Sequence, residues 1–278
     1  MSKGIVLFAF NTEIDYVKMS IHSAERIKQY LGLPVTLVTD SREYLLKNFN
    51  DKVHLFDKIV EKTDNTQQTK KFSDGSNQAS RHIWKNTSRA DIFDVSPYEQ
   101  TLVIDVDYLI NSSFLLNCFD LKSDFLIYKN SCDLAGWRKT EEFKYLNQYS
   151  IPFYWATVFY FVKNKKNEIF FSLVKYIRNN WDYYRLIYQI SDKKFRNDFA
   201  FSIAIHILNG MDYDCFDNII PGKMFYTLDK DSLISLKGDS CVFLVEKENK
   251  LGEYTALKTS GIDVHVMNKH SLLRMYDE

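Results

Sequence analysis

Thr101–Ile110, TLVIDVDYLI, decides how the chain is read. An apolar run leads without interruption into Asp105, and Asp107 follows after one residue. A short unbroken apolar run marks a strand covered on both faces, as in a parallel sheet. Upstream, Gly4–Phe10 and Pro34–Thr39 (PVTLVT) have the same character, and Val53–Phe56 reads as a shorter strand. Between the first two, Asn11–Leu31 carries Ile14, Val17, Ile21, Ala24, Ile27 and Leu31 near helical spacing. Ser41 is placed to cap a short helix reaching about Asn48, and Gln78–Arg89 reads as a helix ahead of the Thr101–Asp105 strand. A βαβαβ order of this kind predicts an α/β fold, a Rossmann-like nucleotide-binding half with a mixed central sheet and helices on both faces. Ligands of such sheets bind beyond the carboxyl ends of the strands, and this puts Asn11, Thr12, Asp40, Asp105 and Asp107 on one rim.

The remainder is less regular. Ile59–Asn77, IVEKTDNTQQTKKFSDGSN, reads as a long polar surface loop, and such loops are often lids. Trp155–Val162 is a predicted strand, Lys165–Tyr188 and Phe195–Leu208 predicted helices, and Cys241–Val245 and Asp263–Met267 predicted strands. With no clean linker, one domain is expected, residues 1–110 binding nucleotide and 111–278 binding sugar and acceptor.

Composition narrows the function. The chain has 278 residues, 45% hydrophobic and 26% charged, enough for a sizeable core. Its 36 basic and 36 acidic side chains cancel, which argues against tight non-specific attachment to nucleic acid or anionic membrane. Cys118, Cys132, Cys215 and Cys241 form no CxxC pair, so a reducing cytoplasm is expected and a structural zinc site is not. No apolar run is long enough for a membrane segment. FAFNTEIDY after the first strand has no glycine-rich phosphate loop, which counts against dehydrogenase and P-loop readings.

Two carboxylates one residue apart at a strand end can both reach one divalent cation if the chain turns there. Mn²⁺ and Mg²⁺ prefer hard oxygen ligands and leave positions for phosphate and water. Arg81, Lys85 and Arg89 recur at helical spacing before the aspartates, and as a basic row they are candidates for donor phosphates. Asp40 is a candidate acceptor for a base or ribose, with Asn11 and Thr12 beside it.

This ordering of motifs resembles the GT-A glycosyltransferases, whose D-x-D holds Mn²⁺ or Mg²⁺ against a nucleotide-sugar diphosphate. The likeness is nearest to glycosyltransferases of tailed phages, DNA-modifying ones among them. It is more distant to the glycogenin and lipopolysaccharide-galactosyltransferase group. The resemblance implies that, in DVHVMNKHSLL, His265 completes the metal site, with His270 as runner-up, and that Lys269 touches the diphosphate. It implies that Asp198, in FRNDFAFSIAIHIL, contacts the donor sugar. It also implies that Ala156 and Thr157, in PFYWATVFYFV, line the sugar pocket with Trp155 as a stacking platform.

The expected activity is transfer of a sugar from a nucleotide donor, a UDP-sugar by preference, to an acceptor hydroxyl. The resemblance to phage enzymes suggests a hydroxymethylated base of viral DNA as acceptor, in the host cytoplasm; a polysaccharide or protein is the alternative. An inverting enzyme needs a carboxylate base such as Asp198 or Asp133, whereas in a retaining one the leaving phosphate takes the proton. The rival classes are a nucleotidyltransferase, which would show a glycine-rich, lysine-containing loop, and a non-catalytic nucleotide-sugar-binding protein. No protein partner is expected.

Overall fold

The computed structural model describes residues 1–66, 68–75, 79–138, 143–147, 150–211, 219–247, 250 and 252–277. Cys215 and the first residue of the predicted Gln78–Arg89 helix lie outside them.

The chain begins as expected. Strand β1 (Lys3–Phe8) leads into helix α1 (Tyr16–Tyr30), then β2 (Val35–Thr39) and α2 (Arg42–Asn48). Every residue of β1 after Lys3, and all of β2, is buried, which is why both read as unbroken apolar runs. Asp15 starts α1 by accepting from the Lys18 amide at 2.9 Å. Ser41 precedes α2 without a side-chain capping bond. Val53–Phe56 is not a strand: Asn50–Leu55 is a 3-10 turn, and the third strand is β3 (Lys58–Glu61). That strand is half-buried at the sheet edge, so it carries no apolar run.

The polar stretch after β3 contains an antiparallel hairpin of β4 (Thr69–Ser73) and β5 (Ala79–Ile83), in which Lys70 faces His82 and Lys71 faces Arg81. The predicted Gln78–Arg89 helix is therefore replaced by a strand and a 3-10 turn at Thr87–Asp91. Mostly exposed residues fill β5, and the i, i+4 spacing of Arg81, Lys85 and Arg89 had no apolar face to support it.

After the short α3 (Ile92–Val95) comes β6 (Gln100–Asp105) and, beyond a two-residue turn, β7 (Tyr108–Leu109). The short α4 (Asn117–Asp120), β8 (Phe125–Tyr128), β9 (Ser131–Asp133) and β10 (Trp155–Val162) follow. The expected Lys165–Tyr188 helix is two, α5 (Lys165–Asn179) and α6 (Trp181–Ile187), broken at Asn180; α7 (Asn197–Leu208) comes next. Strands β11 (Met224–Thr227), β12 (Ser232–Lys237), β13 (Ser240–Glu246), β14 (Tyr254–Ser260) and β15 (Val264–Val266) and helix α8 (Lys269–Met275) complete the described chain.

Six strands form the central sheet in the order β3-β2-β1-β6-β10-β8. The first four run parallel and β10 is antiparallel to both neighbours, so this is a mixed α/β fold. The chain winds outward from β1 to β3 and returns to place β6 on its other side, which makes the β1–β6 boundary the switch point where ligands bind. A second sheet, β7-β15-β11-β9, is stitched to the first by the Val106–Asp107 turn and by the short link from β8 to β9. A meander of β12-β13-β14 completes the fold. The main core packs Phe159, Phe161, Phe170, Phe171 and Phe201 between β10 and helices α5 and α7, with ring centroids 4.8–6.4 Å apart. No helix among the described residues is long and apolar enough to cross a membrane.

Candidate metal and nucleotide site

At the carboxyl end of β6 the chain turns once, and the turn is where it changes sheets. Asp105 closes β6 beside Phe8 of β1. Asp107 opens the turn into β7, whose Tyr108 pairs with His265 of β15. Asp105, Asp107 and His265 each offer a ligand atom, and these atoms lie within 4.8 Å of one another. His270 stands apart, its ring edge-on to His82 at 6.3 Å.

Each aspartate also has a cation. Arg89 bonds Asp105 Oδ1 and donates to the Ala156 carbonyl at 2.8 Å. Lys269, at the first turn of α8, places Nζ 2.6 Å from Asp107 Oδ2, and His265 Nε2 lies 3.4 Å from the same oxygen. Burial alone would raise the Asp107 pKa, but Lys269 and then His265 overrule it and hold the carboxyl well below its usual range. Lys269 is raised for the reciprocal reason: Asp107 outweighs burial. Burial lowers Arg89, without bringing a guanidinium near neutrality at working pH.

The cluster borders a cavity of about 240 Å³ walled by Phe8, Phe10, Tyr16, Lys70, Trp84, Lys85, Asn86, Arg89, Thr157, Asp192, Lys194, Arg196, Asn197, Asp198 and Lys269, among others. Part of its wall is set by one irregularity. The β10–β8 ladder slips register between Trp155 and Phe159, freeing Ala156 and Thr157 from regular pairing. The Ala156 amide then donates to Asp198 Oδ1 at 2.9 Å, and Arg196 holds Asp198 Oδ2 at 2.9 Å. Asp198 thus ties the start of α7 to the bulge rather than capping its own helix, and both its oxygens are occupied.

Several expected residues sit elsewhere. Asp133 is buried under Arg138, which donates to it at 2.6 and 2.7 Å and to Asp231 at 2.7 Å, and it does not line the cavity. A carboxylate so consumed has no lone pair aimed at an acceptor, so the general-base reading of Asp133 is corrected. Arg81 is exposed on β5 and outside the wall, whereas Lys85 and Arg89 reach it from separate turns. Lys85 is 2.5 Å from Asp40 Oδ2 and 3.3 Å from the Asn11 carbonyl. Asn11 accepts from the Val17 amide at 2.8 Å and Thr12 from the Ile14 amide at 3.3 Å, so both shape the entry to α1 without lining the cavity. Trp155 borders the cavity but is 1% exposed, packed among Phe143, Phe153 and Tyr226. It buttresses His265 edge-on at 5.9 Å and offers no free face for a sugar.

The wall also contains residues that carried no motif: Tyr16, Lys70, Trp84, Asn86, Asn197 and Lys194. Burial pushes Tyr16 up to about 12, so it stays a neutral donor, and its hydroxyl has no partner among the described residues. Arg89 Nε, Trp155 Nε1, Asn197 Oδ1 and His265 Nδ1 are likewise buried without partners among the described residues. Unfilled hydrogen-bonding capacity concentrated in one place is where a ligand belongs.

No protein-family model matches the chain, and no curated protein matches it by sequence. Solved structures with partial likeness include the glycosyltransferase GlyE of Streptococcus pneumoniae TIGR4, at 12% identity and TM-score 0.44, covering 80% of this chain and 46% of that one. A galactosyltransferase LgtC, solved with donor and acceptor sugar analogs, overlaps at 15% identity and TM-score 0.45, covering 75% and 70%. Mouse xyloside xylosyltransferase 1 does so at 12% and 0.43, covering 79% and 85%. This chain spans less than half the length of GlyE. At such identities and TM-scores the chemistry of the cavity has to carry the functional reading.

Proposed function

We propose that this chain is a metal-dependent GT-A glycosyltransferase that moves a sugar from a nucleotide donor, a UDP-sugar, to an acceptor hydroxyl. One observation carries the reading: Asp105, Asp107 and His265 converge within 4.8 Å at the switch point of an α/β sheet, on the wall of a cavity lined with cations.

The three residues fit a divalent cation. Asp105 Oδ2 and Asp107 Oδ1 keep lone pairs without a partner among the described residues, because Arg89 and Lys269 engage the opposite oxygens. Two carboxylate oxygens and an imidazole suit Mn²⁺ or Mg²⁺. Such an ion would supply positive charge against the charge that develops on a departing diphosphate. Arg89 keeps Asp105 oriented and fixes the Ala156 carbonyl. Lys269, buried at Asp107, is positioned to share its ammonium between that carboxylate and a phosphate oxygen. Asp198 and Arg196 hold the β10 bulge, where Thr157 leaves room for a sugar ring.

The test is thermal unfolding with UDP plus Mn²⁺ against UDP plus EDTA, followed by donor hydrolysis. Stabilisation that EDTA abolishes is expected; equal melting in both would defeat the reading. For the acceptor, transfer of labelled sugar to hydroxymethylated DNA is compared with plain DNA, polysaccharide and protein. The hydroxymethylated base is the expected acceptor, and label on plain DNA or on none of the nucleic acids removes it.

A further inference from the structure

Six cationic side chains line the cavity, and five of them have a carboxylate. Lys85 has Asp40 at 2.5 Å, Lys194 has Asp192 at 3.8 Å, Arg196 has Asp198 at 2.9 Å, Lys269 has Asp107 at 2.6 Å, and Arg89 has Asp105. The sixth, Lys70 of β4, has no ion pair and no hydrogen bond among the described residues. Its Nζ lies 5.2 Å from the ring centre of Trp84 and 5.8 Å from that of Phe72. Burial, reinforced by the like charges of Lys269 and Arg196, brings its pKa down to about 7 against the weaker pull of Asp107 and Asp229.

Lys70 is half-buried, and an ammonium that loses part of its hydration without a counter-ion is costly, because aromatic faces return only some of it. Nothing in the hairpin requires a lysine there. Lys71, the next residue, points to solvent. Three donors on the wall, the Tyr16 hydroxyl, Arg89 Nε and Trp155 Nε1, have no acceptor among the described residues, against one amide oxygen, Asn197 Oδ1, without a donor. An occupant rich in acceptor oxygens and negatively charged matches Lys70 and these three donors, whereas a neutral sugar leaves the charge without a partner.

We propose that the β4–β5 hairpin delivers Lys70 as a phosphate-binding residue, whose ammonium gains its counter-ion only when the diphosphate of the nucleotide donor enters the cavity. The inference rests on the donor-site reading above and adds to it a contact from outside the α/β sheet. The hairpin is held in place for this task. Gln68 exchanges bonds with the Phe195 amide at 2.6 Å and with Asn86 Oδ1 at 2.9 Å. At the hairpin's far end, Tyr254 donates to the Gly75 carbonyl at 3.3 Å. Because Lys70 is substantially neutral in the free protein above pH 7, pairing it with a phosphate draws a proton from solution.

The test is isothermal titration of the full chain with inorganic pyrophosphate at pH 8, with and without Mn²⁺, in Tris and in HEPES. The two buffers differ in ionisation heat, so their difference reads proton uptake. The wild type is expected to bind with uptake of most of one proton. Lys70→Met should weaken binding roughly tenfold or more and abolish the uptake, Lys70→Arg should restore affinity without uptake, and Lys71→Met should match the wild type. Lys70→Met binding pyrophosphate as tightly as the wild type overturns the proposal and leaves the donor site standing. So does a loss that Lys70→Arg fails to restore. A wild type that binds no pyrophosphate in either condition removes the donor-site reading itself.

Discussion

Two buried charge networks lie on either side of the second sheet, and they differ in what they leave over. In one, Arg138 sits between Asp133 and Asp231, with side-chain exposures of 5%, 3% and 0%. All four carboxylate oxygens accept from its guanidinium or from the amides of Ala135, Leu228 and Glu246. In the other, Asp105 and Asp107 are paired with Arg89 and Lys269, yet among the described residues each keeps an oxygen without a partner and Lys70 has no anion. A satisfied network fixes structure, and an incompletely satisfied one is poised for a ligand. The aspartates in the two networks look alike in sequence; their remaining valence separates them.

The largest effect should come from breaking the closed network. Arg138→Leu leaves two buried carboxylates unpaired and should destabilise the fold by about 3–5 kcal/mol in urea unfolding. A loss under about 1 kcal/mol would show that the network is wetter than its geometry indicates. Next comes the open network. Asp107→Asn should lower Mn²⁺-dependent donor hydrolysis by roughly 100-fold, a transition-state effect of about 2.7 kcal/mol. Asp133→Asn should leave turnover per folded molecule close to wild type, and comparable losses from both would erase the contrast.

A smaller effect separates the networks by pH. Lys70 titrates near 7 in the folded protein and near 10.5 when unfolded, so between those values the unfolded chain binds the extra proton. This group therefore adds stability as pH rises from 7 toward 10 and withdraws it as pH falls back through 7. Lys70→Met should flatten that slope and raise the melting temperature of the ligand-free protein at pH 7, and an unchanged slope by calorimetry would count against an unpaired Lys70 in the cavity wall. The smallest effect is expected at Gly75, with φ +86° and a would-be Cβ 2.0 Å from Ser232 Oγ and 2.9 Å from Asn268 Nδ2. Gly75→Ala should cost about 1 kcal/mol and shift the hairpin enough to weaken pyrophosphate binding a few-fold. Full affinity in that variant would mean that Lys70 reaches its ligand regardless of the hairpin's seat.

Legibility in the sequence follows burial. Strands β1, β2, β6 and β10 were readable because both faces are covered, so their runs are continuously apolar. Strand β3 and the hairpin were not, because half-exposed edges and two-stranded ribbons leave little apolar pattern. Arg81, Lys85 and Arg89 mimicked a helix by spacing alone. Strand β11 is only four residues long and β12 is mostly half-exposed, so neither shows a clear pattern, and Asn180 ends a helix whose periodicity runs on to Tyr188. In the site, Asp105, Asp107, His265 and Lys269 were legible as motif residues, and the structure brings them together. Tyr16 and Lys70 were illegible as donor contacts, because a missing partner is a property of three-dimensional surroundings.

Asp105 ends a strand of the six-stranded sheet, while Asp107 and His265 belong to the turn and strand of the smaller one. An ion bound there would act as a calliper across the seam. Mg²⁺ demands oxygens at about 2.0–2.1 Å, whereas Ca²⁺ accepts about 2.3–2.6 Å, so sliding one sheet by a few tenths of an ångström re-ranks the ions. Preference among Mg²⁺, Mn²⁺ and Ca²⁺ would then depend on the packing behind the ligands as well as on the ligands themselves. Volume changes at Met224 or Tyr226, in the strand next to His265, should appear first as altered ion choice.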